Sequence, residues 1–469
     1  VPCNGDACSS AAQRRGRVTA AEHLFGSLLP DIVTSPPGGV SRRLAKRLRE
    51  VESHNITYVD SDWPIFWKEA NGSNVRDVDD NIYIDLSGAF GVALIGHAHP
   101  EVVHALQAQG EELIHGMGDI HPPVRKVELI ERLCGIVPWV DAQAILTTTG
   151  SEAVEVALKT ARIVTGKPGI VAFNGGYHGL TMGALAVTDR AHFRSYFEDQ
   201  LYKGVSFVPF PECNDASRVT SDEALGFLRA AFQQGAPNGD PIGAVIVEPV
   251  QGRAGVRIPP DGFMAALSDL AMEEGVMVIA DEIFTGLGRC GSMLASERLG
   301  LRPDIVCLGK VLGGGLPLSV CLSSRSVLSS WPENDGEAIH TNTFMGHPPS
   351  CATALAVLDI VEHLGVPERA KVLGSRLLSE LQDSLRDAER VLEVRGCGLM
   401  IGIEFVTADG TPWKGGAAQV AQSALGQGLI LLPAGEHSHV VELTPSAFLS
   451  EDQVVHSLAL LSSIIQKMH

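Results

Sequence analysis

The sequence predicts an α/β protein built on a mostly parallel sheet, and three observations lead there. Apolar runs without helical period occupy residues 243–247, 276–280 and 305–308, the pattern of strands buried on both faces. Between the first two, residues 261–275 read as a helix: Pro259-Pro260 precede it, Phe263, Leu267 and Leu270 share one face, and Gly275 ends it. The same alternation recurs upstream, with a strand at 144–147, a helix opening near Gly150 and running through Arg162, and a strand at 169–173. Strand, helix, strand is the parallel crossover unit.

Each of the three buried runs leads to an ionisable residue: Glu248, Asp281 and, one glycine further on, Lys310. Open parallel sheets bind ligands beyond the carboxyl ends of their strands, so these side chains are expected to converge on one pocket. Gly313-Gly314-Gly315 after Lys310 leaves room for a ligand to approach. A lysine held where its ammonium is desolvated has a lowered pKa and can form a Schiff base. The plainer alternative is a surface lysine in a strand-to-loop turn. The neighbouring carboxylates favour the first reading, because pyridoxal phosphate needs both groups. The carboxylate keeps the pyridine nitrogen protonated and the lysine carries the aldehyde.

Three blocks also carry a family resemblance: Glu248-Pro249-Val250-Gln251-Gly252, Asp281-Glu282-Ile283-Phe284-Thr285-Gly286-Leu287-Gly288-Arg289 and Gly309-Lys310. In order and spacing they resemble the signature segments of class III (omega-type) aminotransferases, from about Tyr58 to the C-terminus. The resemblance implies the type I fold of pyridoxal-phosphate enzymes. That fold has a large domain with a mostly parallel seven-stranded sheet flanked by helices, and a small α+β domain drawn from both termini. The expected division is a mobile tail at 1–40, the N-terminal part of the small domain at 41–88, the large cofactor domain at 89–361 and the C-terminal small domain at 362–469.

Composition narrows the partners. The 469 residues are 45% hydrophobic and 19% charged, which suits a globular chain with an ample core. A formal charge of −19 argues against nucleic acid or an anionic membrane as partner. Nine cysteines, an odd number and mostly scattered through apolar segments, read as free thiols of a reducing compartment, and a cytoplasmic location is expected. Cys3 and Cys8 fall in the polar N-terminal stretch and are expected to be part of the tail. No apolar stretch is long enough to span a bilayer and no signal-peptide core is seen, so the glycosylation-type matches at Asn55 and Asn71 are read as incidental.

Along the chain, residues 41–51 read as a basic amphipathic helix, and 66–70 and 82–86 as strands joined through Asp79-Asp80-Asn81. His97 and His99 lack a third ligand at suitable spacing, so no metal is expected. Thr148-Thr149-Gly150-Ser151-Glu152 opens a helix with small residues, either an ordinary N-cap or an anion site; the resemblance favours cofactor phosphate at Gly150 and Ser151. By the same resemblance Tyr177, beside His178, covers one face of the pyridine and Ile283 packs on the other, while Phe90 is a candidate for the substrate entrance. Thr343 matches the threonine that reaches the phosphate held by a neighbouring subunit, which implies a homodimer with shared active sites.

Two motifs are decoys. Gly286-Leu287-Gly288-Arg289-Cys290-Gly291 fits GxGxxG, but no good helix follows it and no acid closes a second strand about twenty positions on, as a dinucleotide site requires. Thr165-Gly166-Lys167 lacks the earlier glycine of a P-loop. Towards the C-terminus, helices are expected at 350–361 and 367–389, strands at 392–395, 399–405, 429–431 and 440–443, a helix near 417–425, and a final helix.

Arg395 matches the family's carboxylate-binding arginine, whose planar fork suits glutamate or 2-oxoglutarate; a structural salt bridge is the alternative. Two positions depart from the family pattern. Arg253 stands where relatives that use omega-amino acids carry a glutamate that neutralises this arginine, so 4-aminobutyrate and ornithine are disfavoured as donors. Phe284 replaces a glutamine that bonds the cofactor ring hydroxyl. The sequence is thus read as an aminotransferase in which Lys310 holds the cofactor and moves the proton, Asp281 faces the ring nitrogen and Glu248 supports the site, with Arg253 open either to substrate or to solvent. The donor is expected to be glutamate or another α-amino acid, and the acceptor a carbonyl compound that extends to an oxo-sugar. A racemase, epimerase or aminomutase of the same family is the alternative.

Overall fold

The computed structural model describes residues 25–212 and 219–468. An N-terminal meander comes first: β1 (Trp67–Asn71), β2 (Asn74–Asp77) and β3 (Ile82–Asp85), paired antiparallel in that order. The sequence reading joined β1 directly to β3. It missed β2, whose Asn-Val-Arg-Asp lacks an apolar pattern and is instead fixed by its polar groups. Asn74 Nδ2 donates to the carbonyls of Leu28 and Tyr83, and the Tyr83 hydroxyl donates to Asp77 at 2.8 Å.

The centre is a seven-stranded sheet of β4 (Ala142–Thr147), β5 (Gly169–Phe173), β6 (Val205–Val208), β7 (Ile242–Val247), β8 (Met277–Asp281), β9 (Ile305–Leu308) and β10 (Ser319–Ser324). Their spatial order is β4-β10-β9-β8-β7-β5-β6, and β10 alone runs against its neighbours. β10 escaped the sequence reading because its serines dilute the apolar run, and β6 because four residues are too few for a pattern. Alternation assigns the two faces. Val245, Val247, Val278 and Ala280 pack into one layer with Phe173 and the helix Phe263–Glu274. Ala244, Ile246, Met277 and Ile279 pack into the other against Ala153, Val156 and Ala157 of the helix Gly150–Thr165. Phe173, Phe210 and Phe263 meet edge-on in the first layer at 5.6 to 6.3 Å.

The C-terminal strands are β11 (Val391–Cys397), β12 (Met400–Phe405), β13 (Leu429–Ile430), β14 (Leu432–Ala434) and β15 (Val440–Leu443). β13 pairs parallel with β3, so strands from both ends of the chain share one sheet, while β11-β12-β15-β14 form another.

Residues 25–40, expected to belong to a mobile tail, are tied to the body; the rest of that expected tail lies outside the described residues. Gly26 and Leu28 donate to Asn74 Oδ1, Thr34 donates to Asn81, and Asp79 accepts from the N–H groups of Val40 and Ser41 at the start of the helix Gly39–Val51. That helix buries Ser41 and Ala45, whereas Val51 is exposed. Cys3 and Cys8 lie outside the described residues.

The GxGxxG decoy turns out to place a tie. Arg289 is fully buried, and its guanidinium donates to the carbonyls of Leu399, Pro445 (2.6 Å) and Gly91 (3.0 Å), joining three distant segments.

Candidate active site

The carboxyl ends of β7, β8 and β9 open onto one cavity of about 320 Å³, lined by Gly150, Ser151, Tyr177, His178, Glu248, Arg253, Asp281, Ile283, Phe284 and Lys310, together with Gly179 and Leu180. Asp281 ends β8 and Glu248 follows β7, so the register of two neighbouring parallel strands sets both carboxylates on the same edge. Lys310 begins a one-turn 3-10 helix after Gly309, with φ +45. A non-glycine residue in that left-handed region is strained, and such strain collects at working sites.

Asp281 and His178 form a buried pair, with His178 Nδ1 2.7 Å from Asp281 Oδ2. Burial opposes the charged imidazolium, but the hydrogen bond and the charge of Asp281 outweigh it and raise the His178 pKa. Asp281 Oδ1 accepts from the Ile283 N–H at 3.1 Å, which fixes the carboxylate plane. Glu248 accepts from the N–H groups of Tyr177 (2.9 Å) and Gly252 (3.1 Å); burial raises its pKa, with His178 and these donors pulling the other way.

Burial pushes the Lys310 amine down to about 8, and the negative charges of Glu442, Asp281 and Glu248 hold it from falling further. Its Nζ lies 3.6 Å from the centre of the Phe284 ring, so the residue that replaced a polar neighbour now faces the amine with a π surface. Glu442 on β15 is the residue the sequence reading missed. It is buried, Oε2 has no hydrogen-bond partner among the described residues, and burial raises its pKa to about 7 against the pull of Lys310 and Arg253. An acid inside Val440-Val441-Glu442-Leu443, otherwise apolar, was the available signal.

On the other side, the helix Gly150–Thr165 begins with a capping box. Thr149 Oγ1 accepts from the Glu152 N–H, and Glu152 reaches back to the N–H groups of Thr148 and Thr149. The first-turn N–H groups of Gly150 and Ser151 have no acceptor within the helix, which leaves an anion cradle facing the cavity. Ser151 Oγ is 2.8 Å from Thr181 Oγ1, and Gly179, with φ +120, passes so close that a Cβ there would collide with Ser151.

Three expected site residues lie elsewhere in the chain. Arg395 is buried and committed to protein partners: Nε donates to Val256 O at 2.8 Å, one terminal nitrogen to Gly255 O, and the other pairs with Glu393 and Glu404. Its structural-tie alternative describes this arrangement, and the arginine on the cavity is Arg253. Phe90 is 61% exposed and does not line the cavity. Thr343 is exposed and does not line its own chain's cavity either. His97 is held by Asp85 at 2.8 Å, a structural use of that histidine.

The sequence profile of the class-III aminotransferases matches residues 57–465. The chain belongs to that family. A 4-aminobutyrate aminotransferase of Mycobacterium leprae is 35% identical over 447 residues, covering 92% of this chain and 97% of the relative. An alanine/serine racemase of Pyrococcus horikoshii is 30% identical over 446 residues, 93% of each chain. Among solved structures, an amine transaminase from an uncultivated Pseudomonas species in its PLP-bound form aligns at TM-score 0.81 and 30% identity, over 89% of this chain and 99% of that one.

Class-III aminotransferases work with pyridoxal 5′-phosphate on a small-molecule amino donor and a carbonyl acceptor. The residues present fit that cofactor. The Gly150–Ser151 cradle suits a phosphate, Tyr177 and Ile283 line the cavity between it and the Asp281–His178 pair, and Lys310 is an amine of lowered pKa. Space agrees as well, since a Cβ on Gly150 would come within 2.8 Å of Ile283 Cδ1 and narrow the cradle.

Proposed function

We propose that this class-III aminotransferase moves an amino group from an α-amino acid, such as glutamate, to a carbonyl acceptor. The observation that carries the reading is the meeting of Lys310, Asp281 and Glu248 at one cavity with the anion cradle at Gly150. When bound, the cofactor supplies a carbonyl for the amine and a ring that accepts electrons from the breaking C–H bond.

The roles of the chain's own groups follow from their surroundings. Asp281 would accept a hydrogen bond from the protonated ring nitrogen, and His178 behind it keeps the carboxylate oriented. Lys310 Nζ would hold the cofactor, then carry the proton taken from the nitrogen-bearing substrate carbon to the cofactor's former carbonyl carbon; an amine poised at about 8 suits both taking and giving it. Glu248 fixes the Tyr177 backbone, so that ring is set against the cavity. Gly150 and Ser151 N–H groups hold the phosphate. Thr343, exposed on its own subunit, completes the cradle of the other subunit in a homodimer.

Arg395 is already held by Glu393 and Glu404, so the choice of donor turns on Arg253, the arginine that lines the cavity. The test is a panel of amino donors with carbonyl acceptors extending to oxo-sugars, followed through the cofactor's absorbance. The proposal expects amino transfer that depends on both partners. Inversion of an amino acid's configuration without an added 2-oxo acid would favour the racemase reading instead.

A further inference from the structure

Among the described residues, two arginines near the active site make no ion pair, the carboxylates of Glu442 and Glu436 acting on Arg253 and Arg190 through charge alone, and both arginines border a second cavity. That outer cavity, of about 410 Å³, is lined by Arg190, Arg253, Asp60, Asp62 and Gln422 among others, and Arg253 lines the inner one as well. Arg253 stands over the Tyr177 ring with Cζ 5.9 Å from its centre, and among the described residues its guanidinium makes no ion pair. Arg190 sits over Phe193 at 5.3 Å and makes a long 3.5 Å contact to the Glu436 carbonyl, and its buried Nε has no hydrogen-bond partner among the described residues. The acids of the cavity do not answer them. Asp60 accepts from Ser61 N and from the Tyr58 hydroxyl, Asp62 from the Ser61 hydroxyl, and among the described residues neither pairs with an arginine.

Unpaired guanidinium donors in a partly dry site are costly, and two adjacent cations repel. Burial and the charge of Arg253 lower the Arg190 pKa against the pull of Glu436, so the two guanidiniums act on each other. An anion with two oxygens in a plane satisfies the fork of one and the charge of both. Arg395, by contrast, already has Glu393, Glu404 and two carbonyls.

We propose that the carboxylate of the amino donor and of its 2-oxo acid counterpart is received by Arg253 together with Arg190, on the Tyr177 side of the cavity, and that Arg395 is a structural tie. This rests on the amino-transfer reading for the identity of the substrate, but the carboxylate seat can be measured without turnover.

The experiment is calorimetric titration of the cofactor-loaded protein with glutarate, which carries carboxylates and no amine. Arg253→Gln and Arg190→Gln are each compared with wild type, with thermal melting to establish that both variants fold. Saturable binding by wild type that weakens at least about tenfold in both variants is the expected result, on the scale of charge-assisted hydrogen bonds. Binding that weakens less than that in either variant, or no saturable binding by wild type, overturns the proposal. Arg253→Lys keeps the charge without the fork and is expected to recover only part of the affinity. Failure of the amino-transfer reading shows separately, as a cofactor spectrum that no donor changes.

Discussion

His178 Nδ1 and Asp281 Oδ2 are 2.7 Å apart, and both side chains are buried at the edge of the central sheet. The imidazolium is favoured by this contact despite its burial, and the pair sets the Asp281 carboxylate where the ring nitrogen of the cofactor is expected. Asp281→Asn removes that charge and leaves the shape. It is expected to lower kcat by about 10²-fold or more while the protein still takes up cofactor, on the scale of losing one preorganised electrostatic partner. Steady-state rates with parallel cofactor titration check this; an unchanged kcat would remove Asp281 from the mechanism.

Glu442 controls the Lys310 amine. Its negative charge is the largest of the influences that hold the lysine pKa up against burial, so Glu442→Gln is expected to move that pKa below about 8. The neutral amine is the form that attacks a carbonyl. The rate at which the cofactor-free protein takes up cofactor should therefore rise with pH to a midpoint near 8 in wild type, and the midpoint should shift to lower pH in the variant. Stopped-flow absorbance across pH measures it. A midpoint unmoved by the substitution would show that Glu442 does not act on Lys310.

Arg289 is expected to matter for stability rather than chemistry. Arg289→Met leaves the carbonyls of Leu399, Pro445 and Gly91 without their donor. The cost is about 3 kcal/mol, one buried hydrogen bond to a charged group already contributing half of that or more. A thermal midpoint lower by several degrees is the expected readout.

His439 makes the protein sensitive to acid. Burial lowers its pKa to about 4, while an unfolded chain protonates it near the ordinary value of 6.5. The unfolded state thus binds the extra proton first, and stability present above pH 6.5 is lost as pH falls toward 4. A shift of that size corresponds to about 3 kcal/mol at full expression. His439→Gln should flatten the dependence of the urea midpoint on pH in this window, leaving values near neutrality little changed.

The parts of the site that lie on strands with strong apolar patterns were legible in the sequence. Glu248, Asp281 and Lys310 stand at the ends of such strands, and the meeting of three carboxyl edges follows from the crossover topology alone. Glu442 stood out as an acid in an apolar run, but its role was not legible, because β15 approaches from the C-terminal sheet and only the tertiary fold brings that strand to Lys310. Arg395 shows the opposite failure. Its motif was readable, but the partners that occupy it come from β11, β12 and the loop at Gly255, which no local pattern encodes. β2 and β10 were lost because polar residues replaced the alternation that marks a strand.

The central claim is that one amine carries the cofactor. Borohydride reduction of the cofactor-loaded protein, followed by peptide mass mapping, tests it most directly. The account predicts a phosphopyridoxyl mass increment on the peptide containing Lys310, and none in Lys310→Ala. An increment on another lysine, or a Lys310→Ala variant that keeps the wild-type visible spectrum, would contradict it.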